Sequence, residues 1–175
     1  MDNTENTLRA VVKALNDVVG PAIDPSDGLA REQLRLVTDY VKFAQQRLDY
    51  LEARERFELR HGLALAHAVE SISGLWSGLV RDALREAIAT GEPLVADASA
   101  SAAALRQATA ALGGAVRRAV REAQGFDPVL RRSVEIAVLE ATEPRIRFER
   151  SWYVPLGFDP APGEVEPLER VINGP

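Results

Sequence analysis

One apolar stripe constrains the fold of this chain more than any other feature. Between residues 34 and 51, apolar side chains recur at alternating spacings of three and four: Leu34, Val37, Val41, Ala44, Leu48 and Leu51. That spacing places them on one face of an α-helix. A second apolar row lies beside it, so together the two rows cover about half of the helix circumference; its members are Leu36, Tyr40, Phe43 and Tyr50. We therefore predict that this helix is the central helix of a bundle or the shared element of a dimer.

The same period recurs along most of the chain. The predicted helices are residues 4–19, 26 to about 61, about 62–90, 99–124 and 128–142. Gly20 and Pro21 are expected to stop the first helix. The third carries Leu65, Val69, Ile72, Trp76, Leu79 and Ala83 inward and is expected to end at the TGEP segment, residues 90–93. In the GFDP segment, Asp127 is predicted as the N-cap and Pro128 as the first residue of the fifth helix.

A break is predicted within the long helical pattern that begins near Ser26. A continuous helix from there to Thr90 would be roughly 100 Å long, which exceeds what a compact domain of this size accommodates. We expect the break near His61 and Gly62, with the glycine in a left-handed conformation.

The C-terminal segment has a different character. The RIRFERSWYV segment, residues 145–154, alternates like a strand, and five of the ten prolines follow residue 154. The segment is too apolar for ordinary disorder. We predict an extended arm that packs on its own bundle or on a partner subunit, and its candidate interaction residues are Trp152, Tyr153, Leu156 and Phe158.

These patterns predict an all-α fold, an up-and-down bundle of about five helices with an extended, Pro-rich C-terminal arm. Residues 1–144 form the predicted bundle domain and residues 145–175 the arm. The length of 175 residues suffices for a self-supporting core.

Composition narrows the classes of function. Without cysteine there are no disulfides, thiolate metal sites or cysteine nucleophiles. A net charge of −5 disfavours nonspecific nucleic-acid binding. No stretch approaches the roughly 20 apolar residues that cross a bilayer, and the N-terminal residues lack the pattern of a secretory signal. We expect a cytoplasmic protein with no nucleic-acid or membrane partner. Arginine greatly outnumbers lysine, a bias that we attribute to genomic composition and that suggests a bacterial source.

Catalytic motifs are absent from the sequence. There is no Gly-rich phosphate loop, nucleophile elbow or HExxH motif, and the histidines are His61 and His67 alone. Glu58 and His61 resemble the Glu-x-x-His step of di-iron carboxylate bundles, but a complete site needs two such steps and two further carboxylates. A second copy of the chain would have to supply the rest, so Glu58 and His61 are only weak metal candidates. We predict no cofactor.

Four polar residues continue the second apolar arc beyond Tyr50 and form the candidate ligand-binding set: Arg47, Arg54, Glu58 and His61. If the arc remains buried there, these charges must be paired, with Arg54 and Glu58 as the expected bridge, and they could line a pocket for an anionic ligand. If the helix outruns the bundle, they are solvated. A further arginine-rich set could hold an acidic partner or a phosphate: Arg117, Arg118, Arg121, Arg131, Arg132, Arg145, Arg147 and Arg150.

The expected function is that of a non-catalytic helical accessory or scaffold protein that acts through protein–protein association as a homodimer or with a protein partner. One alternative is an enzyme or ligand-binding bundle built on the polar set. Another is a pocket for an apolar or acyl ligand between the second and third helices, lined by Tyr40, Phe43 and Trp76.

Overall fold

The fold is built from helices. The computed structural model describes residues 3–72 and 76–172, and within those ranges it contains no β-strand. The helices are α1 (Thr4–Ala14), α2 (Gly28–Arg47), α3 (Leu51–Glu70), α4 (Gly78–Ala96), α5 (Ala102–Ala123), α6 (Pro128–Tyr153) and a short α7 (Leu168–Ile172). The prediction of an all-α fold is confirmed. In the described part of the chain, no helix combines the length and the apolar character that a bilayer crossing requires.

Backbone contacts divide the chain into two compact units. The first comprises residues up to Leu51 together with Tyr153–Gly163, and the second comprises Glu52–Trp152 together with the residues from Glu164 onward. The two units are described separately.

In the first unit, α1 packs against α2. The predicted stop at Gly20 and Pro21 is wrong, because the helical backbone continues through a π-helical turn (Leu15–Val19) and a last turn (Gly20–Ala22). Gly20 keeps right-handed helical angles, with φ −55° and ψ −50°. Pro21 lies within that last turn, where its fixed φ is compatible with the helical backbone. The Asp27 side chain then caps α2 by accepting a hydrogen bond from the Ala30 N–H.

In the second unit, α4 and α5 form an antiparallel pair. Ser77, at the start of α4, donates hydrogen bonds from its backbone N–H and its hydroxyl to Glu122, near the end of α5, both at 2.6 Å. The core between the helices of this unit contains fully buried apolar side chains: Leu59, Ala66, Val69, Leu84, Leu105, Leu112, Ala115 and Ala119.

Polar contacts also orient α3 against α4. Arg56, near the start of α3, donates to the backbone carbonyls of Asp97 (3.0 Å) and Ala98 (3.2 Å) just beyond the end of α4. At the other end, Glu70 pairs with Arg85 at 3.1 Å. These two helices therefore also run antiparallel.

The predicted break at His61 and Gly62 is wrong. Both residues lie in the middle of α3, which continues to Glu70. A Cβ built on Gly62 would lie 3.4 Å from Leu112 Cδ1, so this glycine serves close packing of α3 against α5 and not a left-handed cap. The regular α-helical backbone is instead interrupted earlier, by a 3₁₀ turn at Leu48–Tyr50.

The predicted third helix, residues 62–90, is also wrong as a single element. Its first part belongs to α3 and its last part to α4, while residues 73–75 lie outside the described ranges. Trp76 lies in the connection, where its indole N–H donates to the Val69 carbonyl at 3.1 Å and its ring contacts Phe126. Helix α4 then continues past residues 90–93 to Ala96 with Pro93 inside it. Pro93 has no backbone N–H to donate to the carbonyl of Ala89, one turn earlier in the helix. Ala89 is solvent-exposed.

The strand-like interpretation of residues 145–154 fails because α6 extends to Tyr153 with Pro144 inside it. Phe148, Ser151 and Trp152 are buried and lie on one helical face. After the helix, 3₁₀ turns at Val154–Leu156 and Pro162–Glu164 precede α7. The predicted start of α6 is confirmed, since Asp127 accepts from the N–H groups of Val129 and Leu130.

Candidate functional site

The structure places three of the four predicted ligand-binding residues on successive turns of α3. Arg54, Glu58 and His61 are half-buried in the second unit. Arg47 is the last residue of α2 in the first unit, where it is buried with its guanidinium 5.6 Å from the centre of the Phe43 ring. The alternative prediction, that these four residues lie on a helix end surrounded by water, is therefore wrong.

Glu58 belongs to a short chain of charges. Its Oε2 lies 3.5 Å from Arg145 Nε on α6, and the same nitrogen lies 3.3 Å from Glu149 Oε1. Burial raises the pKa of the Glu58 carboxyl, while the nearby Arg145 and Arg54 cations oppose that shift. Loss of water around this carboxyl therefore outweighs the stabilisation that the two arginines give to its charged form.

His61 lies one turn farther along α3. Burial lowers the pKa of its imidazole, and the positive charge of Arg145 acts in the same direction, whereas Glu149 opposes it. The neutral ring is therefore the favoured form in the folded protein.

Arg54 does not form the predicted bridge to Glu58. Its guanidinium carbon lies 4.7 Å from the centre of the Trp152 ring, a cation–π contact. In the described part of the chain, the ion pair that Glu58 forms is with Arg145. The indole also contacts Phe148, which stacks on Phe57 of α3 with ring centres 4.0 Å apart.

The charged groups of Arg54, Glu58 and Arg145 therefore already have partners within the protein. The cations Arg54 and Arg145 are matched in number by the carboxylates Glu58 and Glu149, so this cluster has no excess of positive charge to attract an anionic ligand. Among the described residues, no group of three or more His, Cys, Asp or Glu side chains comes together as a metal site would require. The geometry is that of a structural connection between α3 and α6.

The predicted arm residues do not share one location. Trp152 is buried in the second unit as part of α6. Tyr153 belongs to the first unit, where its ring stacks on Phe43 with centres 5.8 Å apart. Leu156 is half-buried, and Phe158 is highly exposed.

Three members of the arginine-rich set form ion pairs within the protein. Arg131 lies 3.6 Å from Glu135, and Arg147 lies 3.7 Å from Glu166 and 4.0 Å from Glu143. Arg145 is committed to Glu58 and Glu149. These three arginines are therefore partly neutralised and are weaker candidates for contact with an acidic partner.

The feature that our sequence analysis missed is an apolar row on the outside of α6. Its four apolar side chains are largely exposed: Val129 (75%), Ile136 (43%), Leu139 (71%) and Ile146 (54%). Exposed Arg132 and Glu143 fill the remaining positions of the same row. We call these six residues the α6 outer stripe. The helical period was available in the sequence, but a helix end predicted at Thr142 and a strand predicted at residues 145–154 concealed it.

Comparison with known proteins gives no match to a family model, to a curated protein or to a solved structure. The candidate sites therefore rest on their own geometry.

Proposed function

We propose that this chain is a non-catalytic helical accessory or scaffold protein that acts through protein–protein association, and that the α6 outer stripe is its contact surface. The observation that carries this proposal is the exposure of four large apolar side chains along one face of a 26-residue helix. Exposed apolar patches mark interaction sites on folded proteins when they are large, and the apolar row on α6 is the candidate for such a site.

The architecture suits such a role. The antiparallel contacts of α3 with α4, of α4 with α5, and of α6 with α3 support an up-and-down four-helix bundle in the second unit. In a bundle of this kind, the inner faces of the helices form the core, and a second apolar face on one helix is left for a partner.

A catalytic or anion-binding role for Arg54, Glu58 and His61 is less well supported. Glu58 pairs with Arg145, which also pairs with Glu149, and the Arg54 guanidinium lies on the Trp152 ring. The apolar-ligand alternative loses support as well, since Trp76 is occupied by its contacts with Val69 and Phe126 and Tyr40 is mainly solvent-exposed.

The proposal is tested by native mass spectrometry of the tagged protein purified from its own host. We expect the wild type to run as an assembly, either of copies of itself or with another protein, and Leu139→Glu to run at the mass of a single chain. Leu79→Glu is the matched control, because Leu79 is similarly exposed (79%) but lies at the start of α4. A wild type that is monomeric and alone, or a Leu139→Glu variant that keeps its assembly, contradicts the proposal.

A further inference from the structure

Along the α6 outer stripe, the positions of the apolar and charged residues are unchanged when the order is reversed, and the two charges exchange sign. From Val129 to Ile146 the sequence of types is apolar, cation, apolar, apolar, anion, apolar: Val129, Arg132, Ile136, Leu139, Glu143 and Ile146. The spacings are three, four, three, four and three residues, which is also unchanged on reversal. Alternating threes and fours are the spacing with which two helices pack along a shared seam.

This symmetry has a specific consequence for a second, antiparallel copy of α6. When the two helices are aligned about a two-fold axis between residues 137 and 138, Val129 of each copy faces Ile146 of the other, and Ile136 faces Leu139. Arg132 of each copy faces Glu143 of the other. Every apolar position thus meets an apolar position, and both charged positions meet the opposite charge.

A parallel pairing lacks this complementarity, because it brings Arg132 against Arg132 and Glu143 against Glu143. Like charges at facing positions disfavour a pairing, whereas opposite charges fix its register and direction. The charge order on the stripe therefore selects the antiparallel arrangement among the ways in which two copies could meet.

We propose that the partner of the α6 outer stripe is a second copy of this chain, bound antiparallel in a two-fold symmetric dimer. This inference rests on the proposed function and specifies its partner. A symmetric dimer uses the same patch on both subunits, so the patch must be complementary to itself. The stripe meets that requirement in apolar order, in spacing and in charge.

The absence of cysteine from the chain provides a direct test of direction. A Val129→Cys variant is mixed with an Ile146→Cys variant and oxidised mildly, and each variant is also oxidised alone. In the antiparallel dimer, residue 129 of one copy lies beside residue 146 of the other, but about 26 Å from its own counterpart, far beyond the reach of a disulfide. We expect cross-linked dimer in the mixture and at least about fivefold less in either variant alone. The proposal is overturned if Val129→Cys alone cross-links as much as the mixture does, or if the mixture gives no cross-linked dimer.

Charge reversal tests the register. Arg132→Glu and Glu143→Arg each place two like-charge contacts in the dimer, so each alone is expected to raise the dimer Kd at least about tenfold in analytical ultracentrifugation. A 1:1 mixture of the two restores both opposite-charge contacts, and so does the double variant with itself. Circular dichroism on each variant checks that α6 remains helical. If the double variant keeps its helix content but does not dimerise, the proposed register is wrong.

The oligomeric state of the wild type and of Leu139→Glu distinguishes failure of the self-pairing from failure of the proposed association through the α6 outer stripe. A wild type that remains monomeric up to about 100 μM, yet loses a different protein partner on Leu139→Glu, eliminates the self-pairing and leaves association through the stripe intact. A wild type that dimerises and is unaffected by Leu139→Glu eliminates both.

Discussion

At the scale of single residues, the contact between α3 and α6 depends on aromatic side chains that the sequence pattern assigned to an extended arm. Trp152 is 2% exposed, contacts Phe148 and carries the Arg54 guanidinium on its ring face. Phe158, five residues after the end of α6, is 77% exposed. Two aromatic residues predicted to act together in one arm therefore have very different roles in stability.

We expect Trp152→Ala to reduce the free energy of unfolding by about 3–5 kcal/mol, because it removes a large buried ring and leaves a cavity. Phe158→Ala should change that free energy by no more than about 0.5 kcal/mol, since an exposed ring loses few contacts. Guanidinium denaturation of both variants checks the prediction. Equal effects of the two substitutions would contradict the placement of Trp152 in the core.

At the scale of helices, some prolines and glycines gave wrong helix ends. Gly62, Pro93 and Pro144 each suggested an end or a break, and all three lie inside helices. Packing of the surrounding helix outweighs the local preference at these positions. The Asp127–Pro128 start of α6 was predicted correctly because a cap depends on contacts within one turn of the chain.

Gly91 illustrates what such a residue does in the fold. It is buried in α4, and a Cβ there would lie 3.2 Å from Leu63 Cδ2 and 3.4 Å from both Leu59 Cδ1 and Leu112 Cδ1. The absence of a side chain lets α4 approach α3 and α5 closely. No local sequence signal distinguishes this glycine from one that ends a helix.

Gly91→Ala is expected to lower the free energy of unfolding by about 1–3 kcal/mol, because the added methyl group overpacks the core between three leucines. Gly113→Ala is the matched control on α5, where the added Cβ would meet only the end of the flexible Arg117 side chain at 3.4 Å. That substitution should stabilise the protein by about 0.5–1 kcal/mol through helix propensity. Thermal and urea unfolding measure both. If Gly91→Ala stabilised the protein, α4 and the helices beside it could make room for the methyl group without a cost in stability, which would contradict the prediction.

At the scale of the whole molecule, the helix content could be predicted from the sequence, whereas the end points of the elements could not. The apolar arc on α2 that was predicted to face neighbours is partly exposed in the single chain, with Val37 at 50% and Tyr40 at 63%. The charged stretch after Tyr50 was identified as unusual from helical angles alone. The partners of those charges, Arg145 and Glu149, are nearly 90 residues away in the chain, so only the folded structure could supply them. The predicted boundary between the bundle domain and the arm, after residue 144, lies inside α6.

His61 contributes to the pH dependence of the free energy of unfolding. Its folded-state pKa is lowered below the ordinary value of 6.5, so the unfolded chain takes up a proton that the folded protein resists. The free energy of unfolding should therefore fall as the pH decreases from about 6.5 through the folded pKa, with a slope of at most about 1.4 kcal/mol per pH unit. Glu58, whose pKa is raised from 4.5, acts in the opposite direction at lower pH, where the folded state takes up its proton first.

His61→Gln should flatten this dependence between pH 6.5 and the folded pKa, and Glu58→Gln should leave it in place. Urea denaturation across the pH range measures the stability, and the titration of the His61 ring by NMR measures the pKa directly. A His61 midpoint at or above 6.5 would contradict the burial that the structure gives this residue.

The mirror order of the α6 outer stripe has a consequence for how the protein would tolerate mutation. In a dimer with two-fold symmetry, one coding change alters two contacts, so its effect on the dimerisation free energy is counted twice. A substitution that weakens one contact by about 1.4 kcal/mol would weaken the dimer about a hundredfold, where a contact between two different proteins would lose only about tenfold. Small changes along this single helical face would therefore act as large changes in the amount of assembled protein.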